Sequence, residues 1–305
     1  MYSNQTIPKY FQQWMRLYKK DAVRDVTYRK YESTLRWLRR LCLRVTLRQL
    51  DRPLYQSIIN AYAQSHEQST VMEFHHQIRA ALLDALEDGL IAHDPTRKAI
   101  IKGRPKRHRK QVFLNKFELQ LLLRALSVDA DHPMDGLVFL IAKTGLRFGE
   151  ALGVTPQDFD FQRQTLSISK AWNYKTASGG FCALKNASSR RKVRLDWSTC
   201  SSMKRLCDGA PADQPLFVRG ERVFNATANE HLKHLCLESG VPVISIHGLR
   251  HTHASLLLYA GVSVASVSRR LGHANMATTQ KTYLHIIREL ETTDTDKAMR
   301  FLSEL

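Results

Sequence analysis

No stretch of this chain stays apolar for the ~20 residues that a membrane-spanning helix requires. The first 20 residues mix Lys, Arg, Gln and Asp without the apolar segment of a secretory signal. No membrane is therefore expected among its partners. Cysteine is also sparse. Cys42, Cys182, Cys200, Cys207 and Cys236 are odd in number and form no C-x-x-C pair. That argues against a disulfide framework or a cysteine-based zinc site, and reduced thiols in a cytosol fit best. There is no internal repeat and no low-complexity tract. Acidic residues are short too: 28 Asp and Glu face 46 Lys and Arg, a net charge of +18. Such an excess favours a polyanion, most often nucleic acid. A merely basic soluble protein is the plainer alternative. An anionic membrane surface fits less well, because the basic residues are spread along the whole chain.

A length of 305 residues suits about two domains. From Pro8, Phe11, Trp14, Met15 and Tyr18 recur at helical spacing, and Tyr28, Tyr31, Leu35, Leu38 and Leu41 keep the same period after Asp25. Arg29, Lys30, Arg36, Arg39 and Arg40 fall on the other faces. Further helices are expected over about 52–65 and 69–89, the latter capped by Ser69 or Thr70 and stopped by Gly89. The aromatics, sharing one stripe, read as core rather than as base-stacking platforms. Residues 1–101 are thus expected to form a small helical domain with a basic surface.

Residues 102–111 hold Gly, Pro and the six cations Lys102, Arg104, Lys106, Arg107, Arg109 and Lys110, with almost no apolar side chain. They read as an exposed linker that either lies along a DNA backbone or is a solvated tether. The second domain is expected over 112–305. Its helix at 115–127 has Phe117, Leu119, Leu121, Leu122 and Leu126 as an apolar set, and a buried helix over 136–144 ends at Gly145. Strands are expected over 161–170 and 192–196, separated by a polar loop with Gly179-Gly180. Helices resume near 199–208, 225–239, 247–260, 263–271 and 277–290, before a tail with Ala298, Phe301, Leu302 and Leu305 on one stripe. The fold class is mainly α with a small antiparallel sheet in the second domain.

The chemistry gathers between His247 and Tyr283. His247 and Arg250 stand three apart at the start of a helix and so share a face, with His251 beside them. A helix N-terminus favours an anion, and the planar guanidinium fork binds two phosphate oxygens at once. Arg147, after a Thr-Gly turn, could aim a second fork at the same anion. Two other readings compete. His247, His251, His253 and His273 could ligate a metal, although two arginines would repel a dication. Each His could also serve only the fold, the reading favoured for His251 and His253. Tyr283 alone would be a packing residue more often than a nucleophile; only the combination raises it to a candidate nucleophile.

In order, Thr144-Gly145-Leu146-Arg147-Phe148-Gly149-Glu150, His247-Gly248-Leu249-Arg250-His251-Thr252-His253, Leu271-Gly272-His273 and Tyr283, ten residues beyond His273, resemble the boxes of the tyrosine recombinases of the phage-integrase family. The resemblance covers nearly the whole chain, because the first domain is similar to that family's core-binding domain, a SAM-like helical bundle. Related integrases often carry an arm-binding domain ahead of this point, and this sequence begins at the core-binding helices. The family also uses a Lys from a β-hairpin loop. Lys185 occupies the matching place, in Leu-Lys-Asn where many relatives have Thr-Lys-Thr, with Lys175 and Lys192 as the nearest rivals.

What this resemblance implies is a site-specific DNA recombinase of the bacterial cytoplasm that integrates or excises a mobile element. Tyr283 would attack a phosphodiester to give a 3′-phosphotyrosine and a free 5′-hydroxyl, and strand exchange would pass through a Holliday junction. Arg147, Arg250 and His273 would stabilise the transition state, His247 would act as base or orienting group, and Lys185 as general acid. Glu150 would support Arg147. No metal or cofactor is implied. The expected partners are double-stranded attachment sites, three further copies of the chain and DNA-bending or directionality proteins, with the tail around Phe301 and Leu302 docking either on a neighbouring copy or on its own domain. A type IB topoisomerase and a non-catalytic DNA-binding regulator are the alternatives.

Overall fold

The computed structural model describes residues 4–105, 113–176, 178–220, 222–284, 286, 302 and 303. The chain divides into two compact units, Met1–His108 and Arg109–Leu305.

The first unit is a bundle of four helices: α1 (Ile7–Tyr18), α2 (Asp25–Cys42), α3 (Arg52–Ala63) and α4 (Gln68–Glu87). Helix α1 packs on α2 and α4, and α3 packs on the same two. The apolar stripes read from the sequence supply the core: Phe11, Trp14 and Met15 from α1, Leu35 and Leu38 from α2, and Tyr55, Phe74 and Ile78 from α3 and α4 are buried. Two buried polar tips find partners, with Tyr10 Oη donating to the Ala81 carbonyl at 3.0 Å and Thr34 Oγ1 to Gln77 Oε1 at 2.8 Å. Helix α4 begins one residue earlier than expected. Its N-cap is Glu67, which makes no side-chain cap bond, and Ser69 and Thr70 lie inside the helix. Arg29, Lys30, Arg36, Arg39 and Arg40 are all exposed.

Two of the expected linker cations are described. Lys102 and Arg104 are exposed, and Arg104 is tied to the turn between α3 and α4: its amide donates to the His66 carbonyl at 2.8 Å and its Nε to that of Gln64 at 2.6 Å. Lys106, Arg107, Arg109 and Lys110 lie outside the described residues.

In the second unit the central element is α6 (Pro133–Thr144), buried along nearly its whole length from Asp135. An all-round apolar helix must be covered on every side, and α7 (Phe148–Leu152), α8 (Trp197–Cys207), α9 (Asn225–Glu238) and α10 (Ile246–Tyr259) pack on it. Helix α5 (Lys116–Arg124) precedes it. Leu122 is buried there, but Phe117, expected in the same apolar set, is 65% exposed.

The antiparallel sheet has the order β1 (Phe159–Asp160), β2 (Thr165–Ile168), β5 (Arg191–Arg194), with Leu166 opposite Val193 and Ile168 opposite Arg191. The segment between β2 and β5, expected as a polar loop, contains a second hairpin of β3 (Ala171–Trp172) and β4 (Phe181–Cys182). Two-residue strands are too short to show alternation, so the sequence hides them. Helices α11 (Val264–Leu271) and α12 (Met276–Thr282) follow, with Tyr283 as the C-cap of α12. The later part of the expected 277–290 helix, and Ala298, Phe301 and Leu305 of the expected tail stripe, lie outside the described residues. Leu302 is exposed. Among the described residues no helix is long and apolar enough to cross a membrane.

Candidate active site

The site is assembled on the C-terminal end of α11. The last carbonyls of a helix lack intrahelical partners and carry the negative end of its dipole, so they attract cations. Here three consecutive carbonyls each accept from an arginine: Arg270 O from Arg191 Nε at 2.7 Å, Leu271 O from Arg250 Nη2 at 2.9 Å, and Gly272 O from Arg147 Nη2 at 3.0 Å. Gly272 ends the helix in the left-handed region, at φ 67°. A Cβ there would stand 2.8 Å from Arg191 Nη1, so both the backbone conformation and the close approach call for glycine.

Arg250, one turn into α10, is 3% exposed, and its Nη1 donates to Gly145 O at 2.6 Å. Gly145 is itself the left-handed C-cap of α6. One guanidinium therefore joins the ends of two helices. Burial, reinforced by the charge of Arg147, pulls Arg250 down to about 9, which leaves it charged at neutral pH.

Arg147 is the N-cap residue of α7 and keeps 30% of its side chain exposed. Its Nη1 donates to Glu150 Oε1 at 2.6 Å and its amide to Glu150 Oε2 at 3.1 Å. Glu150 is buried, and its Oε2 also accepts from Arg191 Nη2 at 3.0 Å. Burial alone would raise this carboxyl; the charge and hydrogen bond of Arg191, with those of Arg147, outweigh it and hold the pKa below the ordinary carboxylate value. Glu150 thus bridges two arginines.

Tyr283 is 2% exposed, packed with Ala254, Leu258, Val267, Leu271 and Ile286. Its hydroxyl lies 2.9 Å from Nδ1 of His251. Burial pushes the phenol up to about 12, against the lowering charge of Arg250. The His251 ring is also 4.6 Å from that of His247, edge to face. Burial, then the neighbouring His247 and Arg250, bring His251 down to about 4. His247 remains exposed at the rim, its pKa lowered by partial burial and by the charges of Arg250 and Arg147.

His273 follows Gly272, and its Nδ1 lies 2.6 Å from Oγ1 of Thr279, a fully buried residue of α12. Burial and the charges of Arg250, Arg147 and Arg191 lower it to about 4. His253 serves the frame. A carbonyl only accepts and a guanidinium only donates, so His253 Nδ1 donates to Ala142 O at 3.0 Å while its Nε2 accepts from Arg270 Nε at 2.9 Å.

Arg147, Glu150, His247, Arg250, His273 and Tyr283 are thereby gathered around one point. Lys185 is exposed on the segment between β4 and β5. Three residues that contact the candidate site were not assigned to it by the sequence. His251, assigned to the fold alone, is the imidazole that meets the Tyr283 hydroxyl, and its place beside Arg250 was the available signal. Arg191 was one cation within the basic run Arg190-Arg191-Lys192, and Thr279 had no signal at all. Among the described residues no group of three or more His, Cys, Asp or Glu is placed to hold a metal ion.

Comparison with known proteins bears on this arrangement. A "tyrosine recombinase XerC-like" protein of Caldanaerobacter subterraneus is 24% identical over 261 residues, 76% of this chain and 66% of its own length. The integrase of Staphylococcus phage L54a is 26% identical over 172 residues, 51% of this chain and 49% of its own length. The chain thus spans about half to two-thirds of the length of these relatives. A solved structure of the Tn1549 transposon integrase, in complex with a circular intermediate DNA, shares the fold at TM-score 0.75 and 16% identity, covering 91% of this chain and 94% of that one. A model of the phage integrase family matches residues 112–289, the stretch that contains every box of the site, and the chain belongs to that family of tyrosine recombinases.

Proposed function

We propose that this protein is a site-specific DNA recombinase that cuts and rejoins DNA through Tyr283. The observation that carries this reading is the pair of guanidinium groups, Arg147 and Arg250, fixed on the adjacent carbonyls of Gly272 and Leu271 beside the Tyr283 phenol. A phosphodiester resists attack because its charge repels the nucleophile. Charge grows on its non-bridging oxygens in the transition state, and prearranged cations lower that barrier. Each guanidinium carries five N–H donors, and two of Arg250's are committed to Gly145 and Leu271. His273, oriented through Nδ1 by Thr279, would add a hydrogen bond from its other nitrogen.

The Tyr283 oxygen attacks phosphorus, the P–O5′ bond breaks, and the products are a 3′-phosphotyrosine and a 5′-hydroxyl. His251 takes the phenolic proton, the task expected of His247. With the phenol at about 12 and the imidazole at about 4, the proton cannot leave first. It moves as the new P–O bond drains charge from the phenol oxygen. Lys185 delivers a proton to the departing 5′-oxygen. One phosphoester replaces another, so the reaction reverses when the 5′-hydroxyl of a partner strand attacks the link. Two such rounds, carried out by four copies on two duplexes, exchange partners through a Holliday junction and integrate or excise a mobile element.

The relatives support the substrate: the Tn1549 and λ integrase structures that share the fold are DNA complexes by description. The net charge of +18 and the exposed arginines of α2 supply phosphate contacts. Lys102, Arg104 and the rest of the expected linker would add to them. The test is a nicked duplex, selected from a randomised pool for binding to the wild-type chain, on which the cleaved strand cannot be religated. Wild type is expected to form a detergent-stable protein–DNA adduct and Tyr283→Phe to bind without forming one. An adduct with Tyr283→Phe would remove Tyr283 from the role, and binding without any wild-type adduct would leave a non-catalytic DNA-binding protein.

A further inference from the structure

Arg191 stands at the first position of β5 with only 7% of its side chain exposed, and it is committed in three directions. Nε donates to Arg270 O at 2.7 Å, Nη2 to Glu150 Oε2 at 3.0 Å, and Nη1 back to its own strand entry at Ser189 O, 2.8 Å. The first two acceptors are informative. Arg270 O is the carbonyl immediately before those of Leu271 and Gly272, on which Arg250 and Arg147 hang. Glu150 is the carboxylate that grips Arg147 by both its side chain and its amide. A single planar fork therefore fixes both anchors of the two arginines directed at the phosphate.

We propose that Arg191 is a positioning residue of the strand-cleavage reaction, holding Glu150 and the Arg270–Gly272 turn so that Arg147 and Arg250 present one fixed charge pair to the scissile phosphate; this rests on the recombinase reading above. Arg191 does not touch the DNA. Its charge also keeps Glu150 from neutralising Arg147. Glu150 shared between two cations leaves Arg147 its positive field, whereas Glu150 with Arg147 alone would form a closed neutral pair. Lys cannot replace it fully, because one ammonium cannot reach the turn and the carboxylate with the geometry of a fork.

The experiment compares wild type, Arg191→Gln and Arg191→Lys in full-length chain on the selected nicked duplex, measuring binding and single-turnover adduct formation. A second duplex carries a methylphosphonate at the scissile position. That group has a methyl in place of one non-bridging oxygen, so it is uncharged and asks less of the arginines. On the ordinary phosphate, Arg191→Gln is expected to slow adduct formation ~10²-fold, the typical cost of misplacing reacting groups by about 1 Å, with binding changed less than about threefold. Arg191→Lys is expected to fall between. On the methylphosphonate the gap between Arg191→Gln and wild type is expected to shrink to within about threefold, because the charge pair that Arg191 positions has less to do.

Equal slowing on both duplexes would overturn the proposal, since a merely structural lesion does not distinguish the two phosphates. So would an unchanged rate on the ordinary one. Should Arg191→Gln fail to fold, Arg191→Lys carries the same two-substrate comparison with charge and one hydrogen bond retained. A wild-type chain that forms no adduct on either duplex would instead sink the recombinase reading, and the two failures are therefore distinct.

Discussion

The hydroxyl of Tyr283 and Nδ1 of His251 lie 2.9 Å apart, between the C-cap of α12 and the second turn of α10. In the proposed reaction this contact would give Tyr283 its proton acceptor, and the ring sits where only 2% of the residue meets solvent. His251→Phe should preserve packing and remove the acceptor. Adduct formation is expected to fall at least ~10²-fold, as for loss of a general base, with DNA binding retained. His247→Ala, one imidazole further out, is expected to cost less. Single-turnover rates for the two variants check this, and the reverse order would return the role to His247.

Acid should destabilise the second unit through its histidines. His251 and His273 are lowered to about 4 and His253 to about 3, burial being the first cause in each. Between those values and the ordinary 6.5 the unfolded chain binds protons that the folded chain refuses, so stability rises with pH across that window. Stability is therefore complete above about pH 6.5 and is lost as pH falls toward 4. A loss of ~2 kcal/mol would lower Tm by roughly 4–8 °C for a unit of this size. Calorimetry from pH 7 to pH 5 should show the decline, and a flat Tm would contradict the neutral state of these three rings, of which His253 is buried and the other two half-buried.

The orientation of His273 should depend on Thr279. Its Nδ1 is fixed by the Thr279 hydroxyl at 2.6 Å, which would leave Nε2 for the phosphate in the proposed reaction. Thr279→Val keeps the shape and removes the partner. Adduct formation is expected to drop about tenfold, the effect of weakening one transition-state hydrogen bond by ~1.4 kcal/mol, while Thr279→Ser should retain most of the rate. Equal losses in both variants would assign Thr279 to packing alone.

The boundary between what could and could not be read from the sequence follows from physics. Arg147, His247, Arg250, His273 and Tyr283 were legible because Arg, His and Tyr at those spacings have few packing reasons to recur together. The apolar stripes of α1 and α2 were legible because burial imposes the helical period. Arg191 was not, since its meaning depends on the Arg270 and Ser189 carbonyls and on a carboxylate 41 residues away, and backbone acceptors leave no mark on residue identity. Thr279 and the β3–β4 hairpin failed for related reasons: one hydroxyl on a short helix, and strands of two residues, carry no pattern. His251 was underweighted because its partner is 32 residues away.

Gly272 should tolerate no side chain. Its φ of 67° disfavours a Cβ, and that atom would meet Arg191 Nη1 at 2.8 Å. Gly272→Ala is expected to destabilise the second unit by roughly 1–3 kcal/mol and to slow adduct formation, because the displaced group is the fork that holds Glu150. Denaturant unfolding gives the first quantity and the adduct assay the second. Loss of stability with an unchanged rate would separate the turn from the chemistry.

The assignment of Lys185 can be decided through the leaving group. Expulsion of an alkoxide needs a proton, so Lys185→Ala should slow cleavage of an ordinary duplex, by ~10²–10⁴-fold for a general acid. A 5′-bridging phosphorothiolate leaves as a thiolate, a far weaker base than an alkoxide, and needs no such help. The variant should therefore cleave the sulfur-bridged duplex at a rate close to wild type. Lys175, in the turn between β3 and β4, and Lys192, exposed on β5, are the other lysines of this region. If sulfur failed to rescue Lys185→Ala but rescued Lys175→Ala or Lys192→Ala, the proton would come from that lysine, and the β3–β4 hairpin or β5 itself would carry the acid.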